Sequence, residues 1–204
     1  KVVITMKNNV GKYFSQKSFS VLDLICIAIA VIGAIVGTVV WGGGPIGFGL
    51  LGISIVILVI SRSTRAKDEE VDKELERLLG ENGIDTAAKN TVSGFDLEAT
   101  VIKGKDQKLR SERYFVTSFD FLEDKIAVKS LCLDLINGTV TENLYEIGKG
   151  ERASLIETAV PKASNKKSCR LYCESFGGAS VPVSLDDLES SKLIEKVCAP
   201  GEKK

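Results

Sequence analysis

Between residues 19 and 61 the chain reads FSVLDLICIAIAVIGAIVGTVVWGGGPIGFGLLGISIVILVIS, a block with one acidic residue, Asp23, and no Lys or Arg. A run this long and this apolar exceeds what a core helix of a small domain needs, so it constrains the rest of the chain more than any other feature. Trp41, Gly42, Gly43, Gly44 and Pro45 cut it in two. The pattern predicts a transmembrane helical hairpin with spans over 19–41 and 45–61. As a helix the first span would reach roughly 34 Å, against about 30 Å of hydrocarbon. A secretory leader fits poorly, because a second apolar run follows at once and no small-residue cleavage site intervenes.

Charge orients the hairpin. Lys1, Lys7, Lys12 and Lys17 precede the block and Arg62, Arg65 and Lys67 follow it, while the connecting turn is uncharged. Positive flanks stay in the cytoplasm, so the expectation is a multi-pass protein of the bacterial inner (plasma) membrane with both termini cytoplasmic. Met6, the only Met, is either the start or an internal residue. Gly33 and Gly37 form a small-xxx-small pattern, and Gly47, Gly49 and Gly52 leave the second span a bare face. Close backbone approach is what packs helices in lipid. These glycines would join the two spans of one hairpin, or spans of different protomers in a homo-oligomer. Asp23 would snorkel to the interface.

The remaining organisation follows from shifts in period. Residues 1–18 form a basic cytoplasmic terminus. Residues 62–80 hold Val71, Leu75, Leu78 and Leu79 at helical spacing and predict a juxtamembrane amphipathic helix, with Glu69–Lys73 as an i,i+4 pair. Residues 81–95 read as a polar linker, and 200–204 as a disordered tail. Over 96–199 the period becomes two. Strands are predicted at 97–104, 112–122, 125–136, 139–148, 152–160, 169–175 and 179–185, with Asn137-Gly138 as a hairpin turn. Pro182 marks the last strand as an edge or a bulge. A final helix starts at Asp186 or Asp187, with Leu188, Leu193, Ile194 and Val197 as its apolar face. The predicted fold class is an α+β membrane protein: the hairpin, the juxtamembrane helix, then a seven-stranded antiparallel β-barrel or sandwich capped by a C-terminal helix.

Seven strands followed by a capping helix resemble a pleckstrin-homology-like domain over about 95–199. The run Lys108-Leu-Arg-Ser-Glu-Arg-Tyr-Phe-Val116 is similar to that family's second-strand entry, where a basic loop precedes an aromatic strand. The chain departs from the family in lacking a Trp on the C-terminal helix, since its one Trp is Trp41. The resemblance implies a binding role without catalysis, and it implies that Lys103, Lys105, Lys108, Arg110 and Arg113 grip anionic lipid headgroups. Each basic residue near an anionic leaflet adds about 1 kcal/mol. The competing reading is an ordinary solvated loop, offset by Asp106 and Glu112. A second basic group, Lys162, Lys166, Lys167 and Arg170, supports the surface idea only if both loops share one end of the barrel.

Catalytic chemistry has little to work with. There is no His, which removes the commonest general base and metal ligand. The five Cys are scattered, and Cys169 and Cys173 on one strand would sit too far apart for a disulfide, so they read as small reduced hydrophobes. The Gly-rich turn lacks the Gly-Lys-Ser/Thr ending of a phosphate loop, and no Gly-x-Ser-x-Gly motif occurs. Asp120, Glu123 and Asp124 have no spacing that forces convergence. Zero net charge gives no pull toward nucleic acid. The expectation is therefore a non-catalytic scaffold or assembly subunit without metal or cofactor, touching the bilayer, a protein partner, or further copies of itself. The alternative is a pore-forming or transport-accessory subunit built from oligomerised hairpins.

Overall fold

The computed structural model describes residues 10–15, 25, 27–33, 35, 52–53, 55–56, 67–160 and 166–199. The chain divides into two compact units, Lys1–Phe14 with Asp68–Lys204, and Ser15–Lys67.

The second unit contains the predicted hairpin, and here the fold class needs correction. Crossing a bilayer takes about 20 consecutive apolar helical residues. The described helices α1 (Val10–Ser15), α2 (Asp68–Glu81) and α3 (Leu188–Cys198) have 6, 14 and 11 residues. Among the described residues, no helix is long and apolar enough to span a membrane. The transmembrane hairpin, and with it the multi-pass inner-membrane placement, are accordingly withdrawn: without a span the flanking charges orient nothing. Within 19–61 the described positions are helical, and Ile25, Ile32, Val31 and Ile53 among them are exposed. Gly33 is buried. Gly52 is exposed, and among the described residues a Cβ there would meet nothing within 4 Å. Gly37, Gly47, Gly49, Asp23, Cys26 and Trp41 lie outside the described residues.

Among its described residues the first unit carries nine strands rather than seven, in three sheets that do not close into a barrel. Strands β1 (Thr91–Phe95), β4 (Arg113–Phe121), β5 (Lys125–Asp134) and β6 (Thr139–Gly148) form an antiparallel sheet in the order β1-β4-β5-β6. A small hairpin, β2 (Val101–Lys103) with β3 (Leu109–Ser111), is inserted between β1 and β4. A third sheet has the order β7 (Ser154–Ala159), β8 (Lys167–Tyr172), β9 (Ser180–Val183).

The alternating pattern of 112–122 becomes β4, with Phe115, Thr117 and Phe119 turned toward the core. They meet Val128 of β5, Leu171 of β8, Val181 and Val183 of β9, and Ile194 and Val197 of α3. The two larger sheets are stitched by Thr117, whose hydroxyl donates to the Pro182 carbonyl at 3.0 Å. On the opposite face of β5, Leu133 is buried. Val10, Tyr13 and Phe14 of α1 and Val71 and Leu78 of α2 are buried outside that core. A Cβ on Gly11 would stand 3.5 Å from Ile136, which places α1 over the β5–β6 turn.

Several boundaries shift for identifiable reasons. The residues read as a linker contain β1, paired with β4 from Thr91 opposite Ser118 to Phe95 opposite Tyr114. The β5–β6 connection takes in Leu135–Gly138 rather than two residues, because the Asp134 carboxylate accepts from the main chain of Ile136 and Asn137 at 3.0 and 2.9 Å. Gly138 sits there at φ +65°, a left-handed conformation that suits glycine. Asp187 caps α3 by accepting from the Ser190 amide at 2.7 Å. Leu188, predicted on the apolar face, is 70% exposed. It lies six residues before Ile194, a third of a turn off the buried stripe.

Candidate functional site

The predicted basic group falls on the β2–β3 hairpin and the first residue of β4, and its members have different surroundings. Arg110, 2% exposed, points inward. Its Nε and Nη2 donate to the two Asp72 oxygens at 2.8 and 2.7 Å, and Nη1 and Nη2 donate to the Asp106 carboxylate at 2.9 Å each. Asp68 stands 4.0 Å from Nη1. Asp68 also accepts from the Tyr13 hydroxyl and from the Lys105 amide, both at 2.8 Å. α1, α2 and the hairpin are thereby tied through one guanidinium. Gly104 is required in this arrangement, since a Cβ there would fall 2.6 Å from Arg110 Nη1 and 2.7 Å from Asp68 and Asp106 oxygens.

The electrostatics follow the geometry. Hydrogen bonds from Arg110 hold the Asp106 carboxyl down at about 2. Hydrogen bonds to Asp72 and Asp106 push Arg110 further above its usual range. Burial, then the bond to Asp68, pushes the Tyr13 phenol up. Four of the five hydrogens of the Arg110 fork donate to Asp72 and Asp106, and Asp68 stands 4.0 Å from Nη1, so this buried guanidinium is already committed inside the fold.

The other predicted contacts separate as well. Lys103, Lys105 and Lys108 are exposed, and their ammonium groups have no ion-pair partner within 4 Å among the described residues. Arg113 is exposed at the start of β4. Lys103 and Lys108 border a cleft of about 1040 Å³, which neither Lys105 nor Arg113 lines. Lys166 and Lys167, from the second basic group, border the same cleft. The sheets close no barrel whose end the two loops could share, and what the structure shows is that these four lysines border one cleft. Lys166 and Lys167 are paired with Asp186 and Glu157. Arg170 is taken by Asp96 at 2.9 Å and Glu98 at 2.6 Å. Lys162 lies outside the described residues.

The cleft has an apolar floor made by Leu97, Leu109, Phe115, Val183 and Leu185. Phe115 and Val183 are buried beneath this floor, the Phe115 ring lying against its cross-strand neighbour Gly94, and the half-buried Leu97, Leu109 and Leu185 are its accessible part. The site is thus a greasy trough beside two unpartnered ammonium groups, Lys103 and Lys108, with paired lysines opposite. Such a surface can bind a chain that is apolar along its middle and anionic at one side. It holds no nucleophile–base pair. The thiol of Cys169, which lines the cleft, is pushed up by burial and so stays protonated, as burial does for Cys132 and Cys198. Among the described residues, no three His, Cys, Asp or Glu side chains converge as a metal cage would.

No protein-family model matches the chain, and no curated protein or solved structure is detectably similar to it.

Proposed function

We propose that this chain is a non-catalytic binding module of pleckstrin-homology-like design, and that its cleft takes an acidic segment of a partner protein. The likeness is supported by element order. With the inserted β2–β3 hairpin set aside, four antiparallel strands are followed by three more and a C-terminal helix. The observation that carries the binding role is the pair Lys103 and Lys108, without an ion-pair partner among the described residues, beside the apolar floor of one cleft. An anionic lipid would use the ammonium groups but leave the floor uncovered. A protein segment uses both, and burying one Leu-sized side chain on that floor supplies about 1.5–3 kcal/mol.

The test is to pan a random twelve-residue peptide library against the full chain and against its Lys103→Glu/Lys108→Glu form. Enrichment of peptides combining Asp or Glu with aliphatic residues, bound at least tenfold more weakly by the reversed form, is expected. Binding to phosphatidylserine vesicles with no lysine-dependent peptide recovered would overturn the protein reading in favour of lipid.

A further inference from the structure

We infer that the partner segment binds as an added β-strand along the free edge of β1, an inference that rests on the cleft reading above. Hydrogen-bonded and non-bonded pairs alternate along an antiparallel ladder. Two bonds fix the phase for β1: Phe119 N–H donates to the Asn90 carbonyl at 2.9 Å, and Asp96 N–H donates to the Arg113 carbonyl at 2.9 Å. Asn90, Val92, Gly94 and Asp96 therefore direct their main-chain groups at β4. Thr91, Ser93 and Phe95 direct theirs the other way. Among the described residues no strand is hydrogen-bonded there, because β1 ends the order β1-β4-β5-β6. Among the described residues, the amides and carbonyls of Ser93 and Phe95 have no hydrogen-bond partner on that side, and both residues are half-buried rather than covered.

Exposed edges invite pairing, and proteins guard them. The β9 edge carries Pro182, whose carbonyl is taken by Thr117. On β6 the Glu146 carbonyl accepts from the Ser175 hydroxyl at 2.6 Å. β1, with the sequence Thr-Val-Ser-Gly-Phe, has no Pro, no charge and no such cover. It also borders the cleft with Gly94 and Phe95, continued by Asp96 and Leu97 just beyond the strand, whereas edge strand β7 contributes only Glu157. Gly94 and Phe95 face opposite sides of the sheet, so a cleft that borders both runs past the strand's edge.

The chemistry of the occupant follows. Main-chain pairing to Ser93 and Phe95 holds an extended segment without regard to sequence. Every second side chain of that segment turns toward the notch over Gly94 and Phe115, which suits aliphatic residues. Lys103 and Lys108 sit unneutralised beside it and select Asp or Glu. The segment is therefore an acidic strand with alternating aliphatic residues.

A defined probe tests this: an acetylated eight-residue Glu-Val repeat titrated into the full chain, with a Glu-Pro repeat of equal charge as comparison. Pro removes main-chain donors and cannot continue a strand. The Glu-Val repeat should bind at least tenfold more tightly than the Glu-Pro repeat, and should slow hydrogen exchange at the Ser93 and Phe95 amides at least tenfold. Ser93→Pro deletes one outward N–H and no main-chain bond to β4, but also the 3.0 Å bond that Tyr114 of β4 donates to the Ser93 hydroxyl. Ser93→Ala, which loses only that hydroxyl bond, should keep the preference between the two probes, and Ser93→Pro should lose it. If both repeats bind equally through Lys103 and Lys108, with Ser93 and Phe95 exchange unchanged, strand addition is wrong and the cleft reading stands. If neither binds at millimolar concentration, or binding ignores both lysines, both fall.

Discussion

Lys108 and Arg110 are two residues apart on one hairpin, and they have opposite fates. Arg110 is buried against three carboxylates, while Lys108 borders an open cleft with no counter-charge within 4 Å among the described residues. A guanidinium presents a rigid fork that two carboxylates can fill edge to edge, so it can be buried at tolerable cost. An ammonium on a flexible stem stays in water. A basic loop is therefore not one electrostatic object. The number of partners each cation already has separates the residue that builds the fold from the residue left to meet a ligand.

The largest expected effect is on the buried side. Arg110→Ala strips three carboxylates of their counter-ion and should lower stability by about 2–3 kcal/mol, below the usual range for a fully buried pair because Asp72 and Asp106 are partly exposed. The urea midpoint measures this. A loss under about 0.5 kcal/mol would put Arg110 in the same class as a surface charge and erase the contrast. A smaller, pH-dependent effect belongs to Asp106. Its carboxyl is held at about 2 in the fold against an ordinary 3.8, so its contribution is complete above about pH 4 and fades as pH falls toward 2. Asp106→Asn should be less stable than the parent at pH 7, and the gap should close between pH 4 and pH 2. A gap constant across that window would mean that Arg110 is not what holds the carboxyl down. The smallest effect on stability is Lys108→Gln, expected within about 0.5 kcal/mol of the parent by the same denaturation. Its thermal midpoint should match the parent's even where peptide binding is lost.

The strongly periodic segments were legible in the sequence. The strand read at 139–148 is β6, and those at 112–122 and 125–136 contain β4 and β5, because Phe115, Thr117 and Phe119 on β4 and Val128 and Ser130 on β5 recur with a period of two on the core face. β1 was hidden because only Val92 of its inward residues is apolar and Gly94 breaks the pattern, so five residues that lead the sheet read as linker. The cleft was half legible. Its lysines stand out as charge clusters, and their meeting at one place depends on the β1–β9 and β2–β3 packing that no local pattern encodes. Nothing in the spacing of Tyr13, Asp68, Asp72 and Arg110 joins them, since the bonds Tyr13–Asp68 and Arg110–Asp72 bridge far-apart stretches of chain. The membrane reading rested on hydropathy alone. Hydropathy reports what a segment would prefer as solvent, and is silent on whether its helices run long enough to cross one.

The bond between Tyr13 and Asp68 has a consequence for how this protein can vary. It pins together the two places where the chain leaves and re-enters the β-rich unit, so residues 15–67 form a detour whose closure that unit already enforces. Doubling the length of such a detour adds only about 0.6 kcal/mol. Evolution, or an engineer, can lengthen it, trim it or exchange it for a different passenger while the β-rich unit keeps its own architecture.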